Sequence, residues 1–261
     1  MDLGISGKTA LVLGAGGGLG SAIAQSLARE GVRVAACDID ANALARTVDG
    51  IAQAGGQARP YVLDLARADQ FEPLLGRVRD ELSAPAILVN NTGGPPPTTA
   101  AGVAAEQWRR QFEAMVVSVI QLTDLVLPAM REAGWGRIIT STSSGVVSPI
   151  PNLGMSNALR LSLVGWSKTL AAEVAPQGVT ANIVLPGRIM TGRIQQLDEA
   201  RAQREGKSVE QVRQASTQSI PARRYGRPDE YGDTVAFLAS EQASYITGSV
   251  IRVDGGLIAS I

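Results

Sequence analysis

The feature that most constrains the fold is a regular alternation of short apolar runs with longer amphipathic ones. Amphipathic stretches of helical spacing at 19–31, 41–54 and 67–81 follow the first three apolar runs. Strands that alternate with such helices pair in parallel, because each crossover returns the chain to the same end of the sheet. The sequence therefore predicts one α/β domain over residues 1–261, a three-layer, doubly wound parallel sheet. Its predicted strands are 9–14, 32–38, 58–64, 86–91, 136–143, 179–187 and 248–256.

One segment, from about 191 to 224, breaks this alternation. It is polar and has a helical pattern. Two interpretations are open: a solvated pair of helices, or a substrate lid that covers the strand ends. Ligands of doubly wound sheets bind beyond the carboxyl ends of the strands, which favours the lid.

Composition excludes several classes of function. Lys and Arg together number 24, as do Asp and Glu, and no basic run suggests nucleic acid or an anionic membrane. Histidine is absent and Cys37 is the single cysteine, so we expect no metal site and no internal disulfide. With neither a leader nor an apolar run of about 18 residues, the sequence predicts a cytoplasmic protein without a membrane span.

A glycine cluster, "GAGGGLG", lies between the first predicted strand and its helix. Gly14, Gly16, Gly18 and Gly20 allow a tight turn, and the helix that follows offers free N–H groups and a partial positive charge to a pyrophosphate. A tight strand–helix turn alone would also explain these glycines, but their place after a strand favours a dinucleotide site.

The end of the second predicted strand carries Asp38. A carboxylate there accepts hydrogen bonds from ribose hydroxyls and repels a 2′-phosphate. No Arg or Lys lies in the glycine turn to neutralise such a phosphate. The sequence thus predicts NAD(H) as the preferred cofactor and NADP(H) as the less favoured one. The alternative role for Asp38 is a helix cap, which Asp40 could provide equally well.

Several motifs in order resemble the short-chain dehydrogenase/reductase family along nearly the whole chain. They are the glycine pattern, "NNTG" at 90–93, "LPGRIMT" at 185–191 and "SYITGSVIRVDGG" at 244–256. The resemblance implies a Rossmann-type fold, a nicotinamide cofactor and a homodimer or homotetramer. It places the cofactor against these residues: Gly14, Gly16, Gly18, Leu19, Gly20, Asp38, Asp64, Leu65, Asn91, Gly93, Arg160, Pro186, Gly187 and Thr191.

The chain departs from the family at the residues that carry the chemistry. The family uses a serine, a Tyr-x-x-x-Lys pair and an asparagine. Ser143 matches the serine, but Ser156 stands in place of the tyrosine, Arg160 in place of the lysine and Met115 in place of the asparagine. Leu13 also replaces the threonine that usually precedes the glycines.

Two hypotheses follow from these exchanges. A serine hydroxyl is a much weaker acid than a phenol, and arginine stays protonated, so neither substitute can simply take over proton transfer. In the first hypothesis Ser143, Ser156 and Arg160 are the catalytic residues of an NAD(H)-dependent oxidoreductase that acts on a small or acyl-type substrate, with water as proton source. In the second the chain is a catalytically inactive NAD-binding sensor or regulatory subunit. Halohydrin dehalogenases, which also carry this arginine, keep the tyrosine and lose the glycine turn, which is the opposite pattern.

Two further expectations concern substrate and assembly. Arg160, Arg188 and Arg193 together would suit a carboxylate or phosphate on the substrate; alternatively Arg188 and Arg193 pair with acids of the lid, such as Asp198 and Glu199. The helices near 105–130 and 153–175 carry apolar side chains beyond those needed to cover one sheet, which predicts a dimer or tetramer contact. The side chains concerned are Val116, Val117, Leu163 and Trp166.

Overall fold

A seven-stranded parallel sheet forms the centre of the molecule. The computed structural model describes residues 2–261. The strand order is β3-β2-β1-β4-β5-β6-β7, and every neighbouring pair is parallel. This confirms the doubly wound α/β sheet, whose strand order reverses between β1 and β4. The strands are β1 (Thr9–Leu13), β2 (Arg33–Asp38), β3 (Gln57–Val62), β4 (Ile87–Asn90), β5 (Gly136–Ser141), β6 (Val179–Pro186) and β7 (Val250–Val253).

Helices cover both faces of the sheet. On one face of the sheet, α1, α2 and α9 pack over a hydrophobic core that contains Ile23, Leu44 and Val235. On the opposite face, α3, α5 and α6 pack over a second core. Successive residues of β1 alternate between the two cores, with Leu11 in one and Val12 in the other. The α-helices are α1 (Gly18–Arg29), α2 (Ala41–Gln53), α3 (Phe71–Glu81), α4 (Ala105–Phe112), α5 (Ser118–Glu132), α6 (Gly154–Val174), α7 (Gly192–Glu205), α8 (Val209–Gln218) and α9 (Pro228–Leu238).

Several strands are shorter than the sequence predicts. The backbone of Gly14 has a φ of 62°, which ends β1 one residue early. The predicted fifth strand ends at Ser141 instead of Ser143, because the Ser143 hydroxyl accepts the N–H of Gly145 and begins a short 3₁₀ turn. Pro60 lies in β3, where the edge of the sheet tolerates a missing donor.

One long apolar helical segment runs from 105 to 132. It contains α4, a π-helical turn at 113–117 and α5. By length and composition it could cross a membrane, so the expectation that the chain contains no apolar run of about 18 residues was wrong. Val119, Leu122 and Val126 lie in the protein core, which accounts for the apolar character of this segment.

Two of the apolar side chains predicted to form a contact between subunits are instead buried within the protomer. Val116 is 3% and Leu163 1% exposed, because both pack against Met155 inside the protomer. The exposed apolar residues of the same helices are Phe112, Leu125 and Leu161. The faces predicted for assembly therefore do carry exposed apolar surface, but through different residues.

The segment predicted as a lid forms the helices α7 and α8. Thr191 caps α7, since its hydroxyl accepts the N–H of Ile194. On α7, the buried carboxylate of Asp198 accepts hydrogen bonds from Arg188 at 3.1 Å and from the hydroxyl of Tyr225 at 2.8 Å. This network fixes α7 to the turn after β6.

Candidate active site

A large cleft lies at the carboxyl ends of the strands. Its volume is about 1060 Å³. The turns after β1, β2, β3, β4, β5 and β6 contribute to it, and α7 supplies one wall. Such a cleft at the point where strand order reverses is the usual ligand position in doubly wound sheets.

Most of the residues predicted to bind the cofactor line this cleft. They are Gly14, Gly18, Leu19, Asp38, Asp64, Leu65, Asn91, Gly93, Arg160, Pro186, Gly187 and Thr191. Gly16 and Gly20 do not line it. A Cβ on Gly20 would lie 1.9 Å from the carbonyl oxygen of Gly14, so Gly20 lets the helix pack closely on the turn.

The turn before α1 presents an uncapped helix terminus. The N-cap residue is Gly17, and no side chain caps the first N–H groups of the helix. No acidic residue lies in the first helical turn either. The Asn91 amide donates to the carbonyls of Leu13 and Gly14 at 3.3 and 3.4 Å, which holds the turn against the end of β4. The free N–H groups and the helix dipole together suit an anionic phosphate.

Asp38 is fixed at the end of β2. Its two oxygens accept the backbone N–H groups of Gly16 and Asp40, at 2.8 and 3.0 Å. The cap of α2 is Asp40, whose carboxylate accepts the N–H groups of Asn42 and Ala43. Asp38 is therefore not the cap, and it lines the cleft beside Ile39. Asp64 lines the same end of the cleft, and its carboxylate accepts the N–H of Ala66 at 2.9 Å.

The other end of the cleft, which we call the reactive end, is rich in hydroxyls. Ser143 and Ser156 both line it. Ser156 is 9% exposed, near the start of α6, and no side-chain hydrogen bond within residues 2–261 occupies its hydroxyl. Arg160 follows one helical turn later on α6 and lines the same cleft, because residues four apart share a helix face.

Arg160 is a buried cation that binds only backbone carbonyls. Its guanidinium donates to the carbonyls of Ser141 at 3.4 Å and of Thr92 and Gly93 at 3.1 Å each. Burial, and to a smaller extent the nearby charge of Arg193, lowers the pKa of Arg160 to about 10. The group stays charged at neutral pH. These bonds join α6 to β5 and to the loop after β4.

None of the four tyrosines, all within the described residues, lines the cleft. The Tyr225 hydroxyl donates to the carboxylate of Asp198 on α7. Tyr231 is fully buried beneath β5, and its hydroxyl lies 2.8 Å from that of Ser141. Burial raises the pKa of Tyr231 well above its usual range. No phenol therefore substitutes for the missing tyrosine at the reactive end.

Other features of the site were not predicted from the sequence. Thr92 and Thr142 line the cleft, and their buried hydroxyls have no hydrogen-bond partner. Met115 also lines the cleft and packs on Met155, so the position of the family's asparagine is apolar. Within residues 2–261, no group of three or more His, Cys, Asp or Glu side chains is arranged to hold a metal ion.

The fold and the cleft define a class of protein, a Rossmann-type dinucleotide-binding protein. Comparison with known proteins identifies the family. Residues 14–258 match the family model described as Enoyl-(Acyl carrier protein) reductase. The chain belongs to the short-chain dehydrogenase/reductase family of oxidoreductases.

Similar proteins cover the whole chain. Nodulation protein G of Azospirillum brasilense is 36% identical over 259 residues, which is 97% of this chain and 99% of the relative. The 3-oxoacyl-(acyl-carrier-protein) reductase FabG of Escherichia coli is 36% identical, covering 96% and 97% of the two chains. An L-sorbose reductase from Gluconobacter frateurii, solved with NADPH and L-sorbose, has a TM-score of 0.94 and 30% identity, with both chains fully covered.

Proposed function

We propose that the chain is an NAD(H)-dependent oxidoreductase that reduces a carbonyl or oxidises an alcohol on a small or acyl-type substrate, with Ser143, Ser156 and Arg160 at its active site. One observation carries the proposal. The dinucleotide-binding elements and these three side chains line one continuous cleft.

The residues present fit a dinucleotide. A Cβ on Gly17 or Gly93 would meet no atom within 4 Å, so the backbone there is open to close approach by a ligand. The uncapped N–H groups of α1 would hold the pyrophosphate, and the end of β2 would hold the adenine ribose. Pro186, Gly187 and Thr191 would face the nicotinamide end.

The preference for NAD(H) rests on Asp38. Its carboxylate keeps a fixed position through two backbone N–H groups, and no cation within residues 2–261 forms a salt bridge with it. A 2′-phosphate at this place would meet an uncompensated negative charge. The sorbose reductase and an actinorhodin polyketide ketoreductase were solved with NADPH, so a preference for NAD(H) would set this chain apart from those two proteins.

The cofactor, when bound, supplies or accepts the hydride. The hydroxyls of Ser143 and Ser156 would donate hydrogen bonds to the substrate oxygen, and the charge of Arg160 would stabilise negative charge that develops on it. In the direction of reduction the oxygen gains one proton. That proton would come from water, because the described residues that line the reactive end offer hydroxyls and guanidinium groups and include no His, Lys or Tyr.

A second candidate is a catalytically inactive NAD-binding sensor or regulatory subunit. The absence of a phenol from the part of the cleft that the structure describes favours it. In that case the dinucleotide would bind and Ser156 and Arg160 would have no chemical role.

One paired experiment separates the candidates. Wild type and the double variant Ser156→Tyr with Arg160→Lys are assayed with NADH on ketones, aldehydes and keto acids. An active wild type whose activity is lost in the variant supports the proposed enzyme, since the phenol fills space used by substrate or water and lysine lacks the planar fork of arginine. An inert wild type with an active variant supports the second candidate. Wild type that binds no NADH would contradict both.

We further propose that the protein is a cytoplasmic homodimer or homotetramer. The single thiol, Cys37, is buried, which suits a reducing compartment. Exposed apolar side chains on α4, α5 and α6 would form one contact, and the edge strand β7, with Val250 exposed, a second. Light scattering at micromolar concentration tests this, and a monomer throughout would contradict it.

A further inference from the structure

The charged residues of the cleft are separated by sign. Its carboxylates lie at one end of the sheet order, where Asp38 ends β2 and Asp64 follows β3. Its cations, Arg160, Arg188 and Arg193, lie on α6 and after β6, on the other side of the strand-order reversal. The reactive end of the cleft therefore has positive charge and no carboxylate among its lining residues.

Only one of the three arginines is neutralised by the protein. Arg188 binds Asp198 at 3.1 Å, as one of the two interpretations of the sequence predicted. The predicted pair of Arg193 with Glu199 does not form; Arg193 donates only to the Pro95 carbonyl, at 3.3 Å. Neither Arg193 nor Arg160 has a salt-bridge partner within residues 2–261.

The bonds of Arg160 leave part of its guanidinium free. Of its five N–H groups, three donate to the carbonyls of Thr92, Gly93 and Ser141. Two N–H groups remain without a protein acceptor. A guanidinium that is 8% exposed and lacks a carboxylate is costly, since buried charges in proteins are normally paired.

Two buried hydroxyls in the cleft that Arg160 lines provide an independent observation. Thr92 is 9% and Thr142 5% exposed, and neither hydroxyl has a hydrogen-bond partner. Thr92 gives its carbonyl to Arg160, and Thr142 follows Ser141, which does the same. Unpaired polar groups are rare in protein interiors and mark places where a ligand or water completes the bonding.

We propose that the reactive end of the cleft binds a carboxylate of the substrate, which accepts hydrogen bonds from Arg160 and Arg193. This inference rests on the proposed function and names its substrate class, a small organic acid with a carbonyl or hydroxyl group. Ile150, Leu153 and Leu197 line the same cleft and suit an aliphatic body. The carboxylate supplies the counter-charge that the protein lacks.

The test measures binding, so that it does not depend on knowing the substrate. The protein is titrated calorimetrically with oxamate, malonate, inorganic phosphate and neutral acetamide, with and without saturating NADH. We expect the two carboxylates to bind and acetamide not to bind. Arg193→Gln should weaken carboxylate binding about ten-fold or more, as expected for loss of one charge-assisted hydrogen bond.

Arg204→Gln is the matched control. Arg204 lies on the same helix, α7, is exposed, and does not line the cleft, so it removes the same charge at a distance. We expect it to leave carboxylate binding within two-fold of wild type. No carboxylate binding, binding of phosphate alone, or an equal effect of both variants would overturn the proposal. Carboxylate binding without NADH binding would instead contradict the proposed function and leave the anion site standing.

Discussion

Replacing Arg160 by methionine tests whether its guanidinium holds the reactive end together. Methionine keeps an unbranched side chain of similar reach but removes every donor. The carbonyls of Ser141, Thr92 and Gly93 then lose their partner at once. The change therefore removes the bonds that join α6 to β5, 19 positions away at Ser141, and to the loop after β4, 68 positions away at Thr92.

The size of the effect follows from two opposing contributions. Hydrogen bonds to a charged donor contribute about 1.5 to 3 kcal/mol each, whereas desolvation of a buried guanidinium costs several kcal/mol. We expect a net decrease of about 2 to 3 kcal/mol in the free energy of unfolding. For a chain of this size that corresponds to a decrease of roughly 5 to 10 °C in Tm.

Thermal and urea denaturation, followed by circular dichroism, measure the change. Arg193→Met is the matched control, because Arg193 is exposed and makes one bond, to Pro95, so its stability should change by less than about 0.5 kcal/mol. The loop held by Arg160 lines the cleft, so NADH affinity should fall in Arg160→Met as well. A Tm equal to that of wild type, or to that of the control, would refute the inference that Arg160 holds α6, β5 and the loop after β4 together.

Three further predictions concern the cofactor, the glycine turn and pH. Asp38→Ala should narrow the difference in binding free energy between NADH and NADPH by about one to three kcal/mol. Adding Gly17→Arg, in the open space of the turn, should raise the affinity for NADPH further. Calorimetry that finds wild type binding NADPH as tightly as NADH would contradict this prediction. Gly20→Ala should lower Tm strongly because its Cβ would lie 1.9 Å from the Gly14 oxygen, whereas Gly17→Ala, with no atom within 4 Å, should change it little. The rate kcat should stay level between about pH 6 and 9. It should fall only as pH rises towards 10, because burial lowers the pKa of Arg160 to about 10 and the guanidinium then loses its charge. A steep change in kcat near neutral pH would contradict proton transfer from water, since it would require a titrating side chain at the reactive end.

The sheet and the glycine turn were predictable because their signals are local. Short apolar runs indicate strands buried on both faces, and the amphipathic runs between them indicate helices with one buried face. The glycines lie next to the strand and the helix that they join. The strand ends were less predictable. Ser143 continues a strand-like run of Ile, Thr and Ser residues in the sequence, yet its hydroxyl caps a 3₁₀ turn that lies outside β5.

The contacts that define the reactive end could not be predicted, because they join residues far apart in sequence. Arg160 reaches back 68 positions to the carbonyl of Thr92, a backbone group that any residue offers. Tyr231 and Ser141 are 90 positions apart, and their contact depends on α9 packing beneath β5. The same limit explains Val116 and Leu163, since apolar character does not tell whether a side chain faces the core or a subunit contact.

The energetics of the reactive end argue against a merely decayed site. Alanine at Thr92 or Thr142 would avoid a buried hydroxyl without a partner. The protein instead holds both hydroxyls beside an open cleft, which Arg160 and Ser156 also line. Groups that reduce stability of the isolated fold, and that a polar ligand would satisfy together, are characteristic of a functional site. This is why we favour an enzyme whose proton-transfer chemistry has been rebuilt around arginine, hydroxyls and water over an NAD-binding protein with an empty active site.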